Sequence, residues 1–170
     1  YIGDWSSDVC SSDLELLYNE KFVLDEKEHS IEVGKAKILE EGKDITIVSF
    51  SRGLKLALDA HKALKNINIS SEVINLRSLK PFDKNSIKNS IKKTGRVIVI
   101  EEGWKEYGVG AEIISMVVEE AFDFLDAEPT RVSGKNVPLP YAENLENDAL
   151  PDLDEIIQKA KEICYYEEKN

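Results

Sequence analysis

One stretch limits the possible folds more than any other, the run from Arg96 to Ile113. Val97 to Ile100 are four β-branched residues in a row. That is the pattern of a strand covered on both faces, as in a parallel sheet under helices. Glu101 to Tyr107 reads as a turn region. Gly108 and Gly110 then open a helix on which Ile113, Met116, Val117 and Phe122 recur at helical spacing. The unit is strand, loop, helix. Glycines at a helix start let the backbone pass close to a neighbour, and the first free N–H groups point into the loop. Helix starts attract anions. Here, however, the third glycine of the dinucleotide fingerprint is missing and no P-loop Lys-Ser/Thr follows. Glu101, Glu102, Glu106 and Glu112 also surround the loop with charge that repels phosphate. Close helix–sheet packing is favoured over an anion cradle.

The rest of the chain extends this unit. Ala36 and Ile38 alternate with lysines, as on a half-exposed strand. Glu41 to Asp44 is a turn, and Ile45 to Phe50 a buried strand. The two are expected to pair as a hairpin, with the first strand antiparallel at the sheet edge. Ser51 is expected to cap a helix carrying Leu54, Leu58, His61, Ala63 and Leu64. Ser71 to Arg77 is the next strand. Asp83 caps a second helix with Ile87 and Ile91. Pro129 to Gly134 forms a short strand, and the prolines of Val137 to Ala142 bar helix there. Leu150-Pro151-Asp152 opens a last amphipathic helix through Leu153, Ile156, Ile157, Ala160 and Ile163. Strands alternating with helices specify an α/β fold, with about five mostly parallel strands between two helical layers.

The two ends read differently. Asp4 to Leu14 resembles, residue for residue, one reading frame of a common sequencing-library adapter. The expectation is that residues 1–14 are a non-native, adapter-like segment and that the natural chain begins near Glu15, with upstream sequence lost. Residues 15–34 read as a lead-in from a missing upstream domain, with Leu16, Leu17, Tyr18, Phe22, Val23 and Leu24 suited to burial against it. Residues 35–170 form the folded domain. The polar tail Glu167 to Asn170 is expected to fray.

Composition narrows the function classes. A net charge of -11 disfavours nucleic acid and anionic membrane and suits a basic protein partner. The two cysteines, Cys10 and Cys164, give no disulfide framework, so a reducing compartment is the default. Visible catalytic chemistry is sparse. His29 and His61 lack metal-ligand partners at the required spacing. Ser51-Arg52-Gly53 follows a strand but lacks the first glycine of a nucleophile elbow. Cys164 sits late in an amphipathic helix and packs. Glu101 and Glu102 are adjacent on a strand, point to opposite faces and cannot share a proton; one of them is read as a structural or interface carboxylate.

Several segments resemble a known family. They include Glu15 to Tyr18, Ile45 to Arg52, Glu72 to Arg77, Val99 to Trp104, Gly108 to Ile113, Phe124 to Ala127, Arg131 to Gly134 and Val137 to Ala142. In unbroken order to about Cys164, they resemble the carboxy-terminal half of β subunits of 2-oxoacid dehydrogenase decarboxylating components, above all the pyruvate enzymes. The resemblance implies a three-layer α/β/α transketolase carboxy-terminal domain with an antiparallel edge strand. It also implies an assembly of two α and two β subunits that uses thiamine diphosphate and magnesium to decarboxylate pyruvate and pass the acetyl group to lipoyl-lysine. In that family the cofactor and the catalytic groups are held by the α subunit and the upstream half of β. No catalytic, cofactor-binding or metal residue is therefore carried over.

The same resemblance assigns this domain to β–β assembly and to docking on the dihydrolipoyl acyltransferase core, in the bacterial cytoplasm or mitochondrial matrix. Asp126 matches a family aspartate that contacts a basic residue of the core's peripheral binding domain; it is equally a plain loop aspartate after a helix. The segment from Cys164 to Asn170 departs from the family's shorter ending. Alternatives are another thiamine enzyme (a branched-chain or acetoin dehydrogenase, or a transketolase-like synthase) and a non-enzymatic interaction module.

Overall fold

A computed structural model describes residues 32–166. The adapter-like segment, the lead-in before residue 32, Cys10, His29 and the tail after Tyr166 lie outside the described residues.

In chain order the elements are β1 (Lys37–Glu40), β2 (Ile45–Ser49), α1 (Gly53–Asn66), β3 (Ser71–Asn75), α2 (Lys84–Thr94), β4 (Val97–Trp104) and α3 (Val109–Ala121). A 3-10 turn (Phe122–Phe124) follows, then β5 (Thr130–Gly134), α4 (Glu143–Ala149) and α5 (Leu153–Ile163). The strands form one sheet in the order β1-β3-β2-β4-β5. Only the β1–β3 pair is antiparallel; β3, β2, β4 and β5 run parallel.

The pleat sorts the core. Ile98 and Ile100 face one side of the sheet, with Ile45, Ile47 and Val73, and meet Ala57, Ala60 and Leu64 of α1 and Ile156 and Ala160 of α5. Val97 and Val99 face the other side, with Val48 and Ile74, and meet Ile87 and Ile91 of α2 and Ile113, Met116 and Val117 of α3. Right-handed crossovers explain the two layers. The chain steps one way from β2 to β3 and the other way from β3 through β4 to β5, so the connecting helices fall on opposite faces. Thr46, the polar residue on the α2 side, is satisfied by the hydroxyls of Ser90 and Thr94 at 2.6 and 2.7 Å.

Several expectations are corrected. β1 is the antiparallel edge strand, but its partner is β3 rather than β2, so there is no hairpin. The Glu41–Asp44 turn instead wraps the start of β3: Lys43 and Asp44 donate backbone N–H groups to the Ser70 carbonyl, and the Asp44 carboxylate accepts from Ser70 N at 2.7 Å. Ser51 is not the helix cap. That position belongs to Arg52, without a side-chain cap bond, and Ser51 takes a left-handed φ of 54° at the turn between strand and helix. Asp83 does cap its helix, accepting from Ser86 N at 3.1 Å. β4 runs to Trp104 rather than ending at Ile100, because Trp104 pairs with Gly134 of β5 beyond an irregular register. Phe122 leaves the apolar face of α3 and is 65% exposed, since the helix gives way to the 3-10 turn there. The short helix α4 has no counterpart in the sequence reading.

Candidate functional site

In open α/β sheets, ligands bind beyond the carboxyl ends of the strands, where neighbouring crossovers diverge. In this sheet that point lies between β2 and β4. The alternation of β4 puts two carboxylates there, one on each face. Glu102 points toward α1, where its Oε1 is 3.5 Å from Nε of Arg52. Glu101 points toward the start of α3 and is 2% exposed.

Glu101 occupies the anion position that the glycine motif creates. Its Oε2 accepts from Gly110 N at 3.0 Å. A β-carbon on Gly108 would lie 2.6 Å from the Trp104 carbonyl oxygen and 2.7 Å from both Glu101 carboxylate oxygens, and one on Gly110 would strike Oε1. Gly110 is thus the space that the Glu101 side chain needs, and Gly108 makes room for both that side chain and the Trp104 carbonyl. Burial pushes the Glu101 carboxyl above the ordinary value of 4.5, against the pull of the Gly110 and Val109 N–H groups and of Arg131. Its Oε1 is buried without a hydrogen-bond partner among the described residues. Helix-start chemistry and close packing are both realised, and the anion is the chain's own.

A cofactor diphosphate does not fit this helix start. The Gly110 donor is already engaged, the space is filled by Glu101, and Glu102 and Arg52 pair across the strand ends. Among the described residues no cluster of three or more His, Cys, Asp or Glu side chains is placed to hold a metal ion.

The other sequence candidates resolve as follows. Nδ1 of His61 lies 3.0 Å from both the carbonyl and the hydroxyl of Ser71, which fixes the ring against β3. Cys164 packs against the α1–α5 core, and burial raises its thiol to about 11, which keeps it protonated and unreactive.

Asp126 stands at a separate corner, on the loop after the 3-10 turn. Its side chain is 64% exposed. The backbone beneath it is tied down, because Asp126 N donates to the Gly95 carbonyl at 2.7 Å. Gly95 itself has φ of 68°, and a β-carbon there would collide with the Asp126 carboxylate. Arg96 Nη1 approaches that carboxylate at 3.8 Å. The guanidinium is anchored elsewhere: Nε donates to the Ile163 carbonyl at 2.8 Å, and Nη1 to those of Asp44 and Thr94 at 3.4 and 3.5 Å. The Tyr165 hydroxyl donates to the Asp126 carbonyl at 3.3 Å, and the Tyr165 ring lies 5.9 Å from Arg96 Cζ. Arg96 and Tyr165 escaped the sequence reading. Only the glycine before Arg96 hinted at a crowded corner.

A family model described as transketolase, C-terminal domain, matches residues 34–156. The chain belongs to that family. Among curated relatives, the pyruvate dehydrogenase E1 component subunit beta of Rickettsia felis is 53% identical over 152 residues, which are 89% of this chain and 47% of the relative. The mitochondrial protein of the same name from Dictyostelium discoideum is 48% identical over 153 residues, 88% of this chain and 43% of the relative. The chain therefore spans about half the length of the relatives it matches. Among solved structures, a split-gene transketolase described as an inactive beta4 tetramer superposes with a TM-score of 0.68 at 26% identity, over 79% of this chain and 44% of that one. A transketolase from Pichia stipitis, at 16% identity and a TM-score of 0.55 over 78% of this chain and 18% of its own, shares the fold. The three-layer architecture with its antiparallel edge strand is that of the family.

Proposed function

We propose that this chain is the carboxy-terminal domain of the β subunit of a pyruvate dehydrogenase. The whole enzyme would decarboxylate pyruvate with thiamine diphosphate and magnesium and pass the acetyl group to lipoyl-lysine, toward acetyl-CoA. The observation that carries this reading is 53% identity to a protein of that name across nearly all of this chain but only half of the relative. In this proposal residues 1–14 are foreign, residues 15–34 lead in from an upstream catalytic half, and the domain from residue 35 serves assembly. Its partners are the α subunit, a second β subunit and the dihydrolipoyl acyltransferase core, in a bacterial cytoplasm or a mitochondrial matrix.

The domain contributes no reacting group. Its part is to hold an acidic corner, Asp126, toward a basic region of the acyltransferase. Complementary charge there steers docking and suppresses wrong partners. The neighbour described as an inactive beta4 tetramer fits a picture in which such a chain assembles without turning over substrate by itself.

The test joins residues 15–170 to the amino-terminal half of the Rickettsia felis β subunit and co-expresses the fusion with the cognate α subunit. Acetyl transfer to a lipoylated acceptor should appear with pyruvate and be much weaker with branched-chain 2-oxoacids, while the 170-residue chain alone should release no CO2. Turnover by the chain alone, or a preference of the fusion for branched-chain substrates, would overturn the proposal.

A further inference from the structure

Two anchors shape the loop between β4 and α3. At its near end Arg131 Nη1 donates to the Lys105 carbonyl. At its far end Glu101 Oε2 accepts from Gly110 N at 3.0 Å. Between them Tyr107 takes a left-handed φ of 59° while its ring is fully exposed. Packing does not compensate for that conformation, so a loop freed from its anchors would relax to others. The loop is an element with more than one available arrangement, held in one of them.

The anchor on α3 is half-made. A carboxylate has two oxygens to satisfy. Glu101 Oε2 has the Gly110 donor, but Oε1 is buried without a hydrogen-bond partner among the described residues. Burying a full charge with one oxygen orphaned is unfavourable, and a proton on that oxygen removes the charge. It also turns Oε1 into a donor, and the Trp104 carbonyl borders the same space beside Gly108. The surroundings agree with a neutral carboxyl. Arg131 favours the charged form, yet burial outweighs it and raises the carboxyl above its ordinary 4.5. Glu102 lies on the other face of the strand, against Arg52. Lys105, Glu106 and Glu112 are exposed to solvent.

We propose that Glu101 is a proton-operated latch on the loop of residues 105–108. With its proton bound, the side chain reaches from Gly110 N to the Trp104 carbonyl and holds the loop against the end of the sheet. When the proton leaves to water, Oε1 is a bare anion in a dry space, and the loop opens to let solvent reach it. Opening releases Tyr107 from its left-handed conformation and changes the surface that Trp104 and Tyr107 present at the carboxyl end of β4. The latch is independent of the docking role proposed for Asp126, which lies at another corner.

The direction of the pH response follows from linkage. The closed loop binds the proton more tightly than the open one, in which the carboxyl is solvated and titrates near its ordinary 4.5. Closure is strongest below pH 4.5 and weakens as pH rises to the raised value, about 10-fold in the closing equilibrium for each pH unit between the two.

The experiment follows amide hydrogen exchange by NMR in the full 170-residue chain and in E101Q, from about pH 4 to about pH 8, corrected for the intrinsic dependence of exchange on pH. In the unaltered chain the Gly110 amide should lose protection about 10-fold per pH unit above 4.5 and then level off. It should remain less protected than Ile98 of β4 throughout, because the opening is local. In Glu101→Gln, whose side chain is permanently neutral, Gly110 protection should not change with pH. Protection of Gly110 that is flat with pH in the unaltered chain overturns the latch. So does a Gln variant that follows the same course as the unaltered chain. Equal protection of Gly110 and Ile98 overturns it as well, since the loop then opens only with the whole fold. A Gln variant that fails to fold also overturns it, because the neutral side chain is the one the site fits.

Discussion

Two corners of the molecule each set a carboxylate near an arginine, and they behave in opposite ways. At the β4–α3 junction Glu101 is 2% exposed, faces Arg131 and fills the helix start. At the other corner the Asp126 side chain is 64% exposed and lies 3.8 Å from Arg96. The difference is one of accessibility. A buried carboxylate that takes a backbone donor has become part of the fold, and a ligand could displace it only by unpacking the junction. An exposed one on a pinned backbone keeps its lone pairs open to solvent. In a domain whose strand ends are closed by its own side chains, the proposed docking role falls to the periphery.

Substitutions should expose this contrast. The largest effect is expected from Gly110→Val, which drives side-chain atoms into the buried Glu101 carboxylate. A loss of about 3 kcal/mol in urea unfolding follows from overpacking with no room to relax. A loss under about 0.5 kcal/mol would show that Glu101 can swing away and that the junction is soft. Next comes Arg96→Gln, which strands the carbonyls of Ile163 and Asp44 and should cost about 1–3 kcal/mol. Glu101→Gln sharpens the comparison through pH. The folded chain binds the Glu101 proton more tightly than the unfolded chain, so the stability linked to this group is present below pH 4.5 and is lost as pH rises through its raised value. The advantage of the Gln variant over the unaltered chain should therefore grow from pH 4.5 toward neutrality. A flat difference would mean that the carboxyl titrates normally. The smallest effect on folding is expected from Asp126→Asn, within about 0.5 kcal/mol, because an exposed pair contributes little. A larger loss would make Asp126 structural and collapse the contrast.

The sequence announced much of this architecture, and the misses have physical causes. The β-branched run from Val97 to Ile100 and the apolar faces of α2, α3 and α5 carried their own periodicity. The partner of β1 was not readable. A four-residue turn between two strands is the signature of a hairpin, and nothing local tells the chain that β3 will be inserted between them. The Gly-Val-Gly motif was legible as close packing plus an anion-prone helix start, but the identity of the anion required the pleat of β4. The Asp126 corner was visible only through family resemblance. Arg96 and Tyr165 come to it from positions 30 and 39 residues away in the chain, and no spacing rule connects them.

The strand order also dictates a timetable for synthesis. β1 finds its hydrogen-bonding partner only after Ser71 to Asn75 has emerged, and β2 is flanked on both sides only when Val97 to Ile100 follows. While the ribosome translates the intervening codons, two β-branched or aliphatic segments wait with open edges, and closing the long loops between partners is slow. A nascent chain of this kind is most vulnerable to aggregation until Val97 to Ile100 has emerged, and a chaperone bound before then would act on the edge of β2.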